Sequence, residues 1–118
     1  MNLGHTFGHA IEHLSGLKLL HGQAVAVGTV MAASAAGCPG EMIVRLAGCI
    51  KRNGLPVRCD YDARALADAA LFDKKRSGGT ITLVLPDAIG KCHLEKVPVT
   101  ELPARFERAL AAQEALKL

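Results

Sequence analysis

The chain has 118 residues, 50% of them hydrophobic and 21% charged, with a formal net charge of +3; length and composition fit one globular domain of ordinary make-up. Its aromatic residues are Phe7, Tyr61, Phe72 and Phe106 alone, and its Lys and Arg are dispersed; base-stacking platforms and a basic nucleic-acid arm are therefore both excluded. The longest apolar stretch, Ala24 to Gly37, is interrupted by Thr29 and Ser34 and is too short to span a bilayer.

Residues Asn2 to about Leu14 predict a first helix, with Ile11 and Leu14 on its apolar side and Ser15-Gly16 as its stop. After the link "LKLLHG" a second helix runs from about Gly22 to Ala36. It is apolar on nearly every side, which places it in the centre of the domain. Gly37 and Pro39 end it. A third helix, about Gly40 to Arg52, carries Ile43, Leu46, Ala47 and Ile50 at helical spacing and stops at Asn53-Gly54. Asp62 is positioned to cap a helix over about Ala63 to Ala70. "TITLVLP", bounded by Gly79 and Pro86, predicts a strand, and "KCHLEKV" a hairpin partner. A last amphipathic helix, from about Val99 to the C-terminus, aligns Leu102, Phe106 and Leu110. The expected fold class is mainly α with one small antiparallel hairpin. Cys38, Cys49, Cys59 and Cys92 show no CxxC spacing and no secretory signal precedes them, so reduced, mostly buried thiols in a cytoplasmic protein are expected.

The polar residues concentrate at the start. His5, His9 and His13 recur every four residues, so they share one helical face, and His21 follows immediately before Gly22. His-x3-His on a helix supplies two ligands to a catalytic zinc, which usually takes three protein ligands and keeps an open position. The glutamate of the HExxH motif is missing here, since "HTFGH" carries Phe7 and Gly8. The alternative is a polar helix face that binds nothing. Chain reversal before the second helix can return His21 to the first, and Asn2 and Gly4 lie at a helix N-terminus suited to an anion. His13 is read as a solvent-facing bystander. In "FDKKRSGG", Lys74 and Lys75 form either a solvated turn or a point charge folded over a phosphate.

"NLGHTFGHAIE", "HGQAVAVG", "NGLPV" and "FDKKRSGGTITLVLPDAIG", in this order and spacing, closely resemble the C-terminal domain of the 3-dehydroquinate synthase family. The resemblance implies a lyase of the shikimate pathway, in aromatic amino acid biosynthesis, that converts DAHP to 3-dehydroquinate and phosphate with bound NAD and Zn2+ (or Co2+). It implies His5 and His21 as metal ligands and Asn2 and His9 at the substrate's phosphate side. His9 would also take part in proton transfer, and Lys75, with Lys74 as second choice, would contact phosphate. Where the family motif usually reads HGE, this chain has Gln23, an amide in place of a carboxylate.

The family's N-terminal domain carries the NAD site and a third, glutamate metal ligand, and no glycine-rich βαβ fingerprint occurs here. The chain is therefore expected to be an inactive C-terminal part, whether excised or split, with the N-terminal domain as partner. Its histidine face would be open to water, Phe7 and Leu20 would be partly uncovered, and either self-association through this face or a first helix frayed at its start is expected. Two other readings stay open: a domain of another sugar-phosphate cyclase such as 2-deoxy-scyllo-inosose synthase, or a stand-alone helical module that binds a metal, a phosphorylated ligand or a partner chain.

Overall fold

The computed structural model describes residues 5–16, 18–71, 79–88 and 91–118, and for residues 5, 71 and 88 the backbone only. The elements are α1 (His5–Leu14), α2 (His21–Ala35), α3 (Gly40–Arg52), α4 (Ala63–Leu71), β1 (Thr80–Ala88), β2 (Lys91–Pro98), a 3-10 turn (Val99–Glu101) and α5 (Leu102–Ala115). The fold is mainly helical with one antiparallel hairpin, as the sequence pattern predicts. Asn2, Lys74 and Lys75 lie outside the described residues.

Helix α2 is the centre. Ten of its fifteen residues are buried, among them Ala24, Val27, Met31 and Ala35, and α1, α3, α5 and β1 all pack on it. Its small side chains account for this, because they let several neighbours approach the same helix from different sides. The main core joins Phe7, Ile11, Val27, Met31, Leu66, Leu83, Leu85 and Phe106. A satellite core packs α3 on the opposite side of α2 through Val30, Ala33, Ile43, Ala47 and Val57.

The helix ends follow the chemistry of their residues. Gly54 adopts φ +76°; its N–H donates to the Lys51 carbonyl at 2.9 Å, and the Leu55 N–H donates to the Ile50 carbonyl at 3.2 Å. This is a Schellman stop, which needs the left-handed conformation glycine adopts without a steric penalty. The last turn of α5 closes with the same pair of bonds, Lys117 to Glu114 and Leu118 to Gln113, but there the left-handed residue is Lys117, at φ 54°. Asp62 caps α4, its carboxylate accepting the Ala65 N–H at 2.7 Å.

In the hairpin, Ile81 faces Val97, Leu83 faces Glu95 and Leu85 faces His93. The strands extend beyond the predicted segments, and Pro86 lies inside β1 rather than ending it. A two-stranded sheet has only edges, so a residue without an N–H is accommodated, and the register shifts just after it. Glu95 pairs with Arg105 of α5, which ties the hairpin to the last helix. That helix begins at Leu102, not Val99, because a 3-10 turn intervenes and Pro103 occupies its first turn.

The segment between α3 and α4 is held by a buried amide. Gln113 accepts the Cys59 N–H at 3.1 Å through its oxygen and donates to the Cys59 carbonyl at 2.6 Å through its nitrogen. The cysteines correct one expectation: all are free, but only Cys59 is buried, Cys38 is intermediate, and Cys49 and Cys92 are exposed. Cys49 lies two residues past the buried Ala47 on α3, and two residues of helix turn a side chain to the opposite face. Burial pushes the Cys59 thiol above its ordinary value, so it behaves as a small hydrophobe.

Candidate metal and substrate site

The site begins with a glycine that lets two backbones meet. Gly8 is buried within α1, and a Cβ placed on it would lie 3.1 Å from Val25 Cα, 3.2 Å from the Ala24 carbonyl oxygen and 3.3 Å from Val25 N. The α1–α2 crossing is thus as close as backbone atoms permit. Phe7 secures it from the other side: it is 1% exposed and meets Phe106 edge-on at 5.0 Å between ring centroids. The expectation that Phe7 would be partly uncovered is therefore corrected. Its partner lies in α5, far away in sequence, and helix packing inside the chain covers it. Leu20, at 71% exposure, is uncovered.

With the crossing fixed, the residue after Gly8 and the first residue of α2 come together. The His9 and His21 rings lie 6.0 Å apart, tilted at 54°. Glu12, one turn after His9, brings its Oε2 to 3.2 Å from His21 Nδ1. Both imidazoles are exposed and the carboxylate is partly so. Among the described residues, His9, Glu12 and His21 form one group of metal-ligating side chains, with donor atoms all within 4.8 Å of one another. Chain reversal does return His21 to the first helix.

His5 is the first residue of α1, one turn before His9 in the backbone. His13 is exposed in the last turn of α1. Gln23 has a clear structural task. Its Oε1 accepts the Leu20 N–H at 2.9 Å, satisfying a donor at the start of α2 and fixing the backbone on which His21 sits. A carbonyl oxygen is all this requires, and an amide supplies it as a carboxylate would.

The donors fit a divalent transition metal by kind: two imidazoles and a carboxylate are a known catalytic zinc set. Tetrahedral bonds of about 2.0–2.1 Å put ligand atoms about 3.3 Å apart. The Glu12–His21 pair stands at that spacing, whereas a group spread to 4.8 Å has to contract to hold one ion. Glu12 is the member that sequence reasoning missed. Its signal was present in "HAIE", an i,i+3 neighbour of His9.

The family model described as 3-dehydroquinate synthase C-terminal matches residues 1–76. The chain belongs to this family. A 3-dehydroquinate synthase of Pyrococcus abyssi (strain GE5 / Orsay) is 40% identical over 103 residues, covering 83% of this chain and 30% of that protein. Among solved structures, a 2-deoxy-scyllo-inosose synthase complexed with carbaglucose-6-phosphate, NAD+ and Co2+ superposes with a TM-score of 0.69 at 23% identity, covering 92% of this chain and 32% of its own. A second structure of a 2-deoxy-scyllo-inosose synthase gives a TM-score of 0.66, also at 23% identity, covering 89% of this chain and 30% of its own. The chain thus spans about 30% of the length of these relatives, and the two structures share its fold. Among the described residues no helix is long and apolar enough to cross a membrane.

Proposed function

We propose that this chain is the metal- and substrate-binding part of a cytoplasmic 3-dehydroquinate synthase, an NAD- and metal-dependent lyase that converts DAHP to 3-dehydroquinate and phosphate in the shikimate pathway. The observation that carries the reading is the convergence of His21 from α2 with the histidine face of α1, at the crossing Gly8 permits. In this reading His5 and His21 hold a divalent metal, Zn2+ or Co2+. The ion, when bound, polarises the substrate hydroxyl that is oxidised.

His9, exposed one turn after His5, meets the substrate together with Asn2 and exchanges protons with it. Lys75, or Lys74, supplies positive charge to the phosphate. The solved relative that holds a sugar phosphate analogue, NAD+ and Co2+ supports a phosphorylated ring substrate, a nicotinamide and a divalent ion. The NAD site and the remaining metal ligand are assigned to a part of the enzyme outside these 118 residues, in keeping with the length of the relatives. A second reading, another sugar-phosphate cyclase, is favoured by the shared fold, but the 40% identity to a 3-dehydroquinate synthase favours the first.

Titration of the 118-residue polypeptide with Co2+, followed by visible absorption and calorimetry, tests the metal assignment. Binding that weakens in both His5→Ala and His21→Ala is expected, and equal affinity in all three proteins overturns it.

A further inference from the structure

Metal binding through His5 and His21 gives Glu12 no task, yet its Oε2 lies 3.2 Å from His21 Nδ1. A neutral imidazole carries one N–H and one lone pair, while an ionised carboxylate only accepts. The ring nitrogen beside the carboxylate is therefore the protonated one, and the lone pair is carried by Nε2. Metal-ligating histidines characteristically donate their other N–H to a carboxylate or carbonyl, which sets the tautomer and the ring's orientation.

Position along α1 agrees with this division. Glu12 is seven residues beyond His5 on the same helix, about 10 Å along its axis. His5 opens the first turn of α1 and Glu12 belongs to its last, so the two are well separated along the helix. The main chain at His21 is supported as well, by the bond from Leu20 N–H to Gln23 Oε1 at 2.9 Å.

We propose that Glu12 is a positioning residue, which holds His21 in the Nδ1–H tautomer and orients Nε2 for a divalent metal before the metal arrives. The proposal rests on His21 being a metal ligand, and its test separates the two claims. Long-range 15N–1H correlation spectra of histidine-labelled, metal-free polypeptide at pH 8 report the His21 tautomer without any metal. Zn2+ titration of the wild type, Glu12→Gln and Glu12→Ala reports the consequence, with circular dichroism to verify folding.

The Nδ1–H form is expected in the wild type, and Glu12→Ala should move it toward the Nε2–H form preferred by free histidine. Zn2+ affinity should fall about 10- to 100-fold in Glu12→Ala and less in Glu12→Gln, whose amide oxygen still accepts. An Nε2–H ring in the wild type, or a tautomer unchanged by Glu12→Ala, overturns the proposal. So does a loss in Glu12→Gln as complete as in Glu12→Ala with a changed Co2+ spectrum, which would make Glu12 a direct ligand. If no protein binds metal, the reading of His21 as a ligand fails while the tautomer still reports on Glu12.

Discussion

Replacing Gly8 by alanine adds one methyl group where α1 and α2 touch. Carbon atoms attract best at about 3.5–4.0 Å, whereas the new Cβ would meet three backbone atoms of Ala24 and Val25 at 3.1 to 3.3 Å. Backbone atoms cannot rotate away, so the helices must separate. Overpacking of this kind costs about 1–3 kcal/mol, and the better helix propensity of alanine returns about 0.8–1.0 kcal/mol. A net loss of about 1 kcal/mol is expected, a drop in melting temperature of about 4 °C for a domain of this size. Gly48, in the middle of α3, provides the control, because a Cβ there meets nothing within 4 Å. Gly48→Ala should gain nearly the whole propensity term, about 0.8–1.0 kcal/mol. Urea unfolding of both variants, with m unchanged, measures the difference of about 2 kcal/mol directly. If Gly8→Ala is as stable as Gly48→Ala, the close crossing does not constrain the fold. Separating the helices should also weaken Zn2+ binding in Gly8→Ala but not in Gly48→Ala.

Gln113→Ala strands the buried N–H and carbonyl of Cys59; at about 1–3 kcal/mol for each orphaned group, a loss of at least about 2 kcal/mol is expected in the same unfolding assay. Lys117→Gly relieves the left-handed residue that ends α5 and should stabilise by a few tenths to about 1 kcal/mol, read as a raised melting temperature. The hairpin network gives a pH profile with two flanks. His93 is raised above its ordinary value by its hydrogen bond to Asp87, so its contribution is complete below about pH 6.5 and is lost as pH rises through the raised value. Glu95 is lowered by its hydrogen bond to Arg105, so its contribution is complete above its ordinary value and is lost as pH falls. Melting temperature against pH should therefore fall less steeply on the alkaline side in His93→Gln and on the acid side in Glu95→Gln than in the wild type. The 118-residue polypeptide alone, supplied with DAHP, NAD and Zn2+, should give no turnover above background in a phosphate-release assay.

Most of the fold was legible because glycine, proline and aspartate punctuate the chain where backbone geometry demands them. Gly54 ends α3, Asp62 caps α4, and the largely apolar run of α2 marks the helix that others cover. What escaped was set by relations between distant residues. Phe106 covers Phe7 across nearly the whole length of the chain, and no local pattern announces that pair. Pro86 resembled a strand terminator, and its tolerance inside β1 depends on the sheet having only two strands. In the site, the spacing of His5 and His9 and the proximity of His21 were visible as a helical period followed by a reversal. Glu12 was visible only as a helical neighbour of His9; its relation to His21 was not, because that arises only from the crossing of α1 over α2.

The burial of α2 from several sides has a consequence for how the protein is made. A ribosome delivers this helix well before α5, yet Leu102, Phe106 and Ala109 of α5 join the same core. Domains fold as units, and apolar surface that awaits its partner is prone to stick elsewhere. While the nascent chain is still growing, a helix with almost nothing to offer water waits for its final neighbour. Synthesis must run through Phe106 before the core can close, so chaperone demand should rise once α2 has emerged and fall when α5 docks.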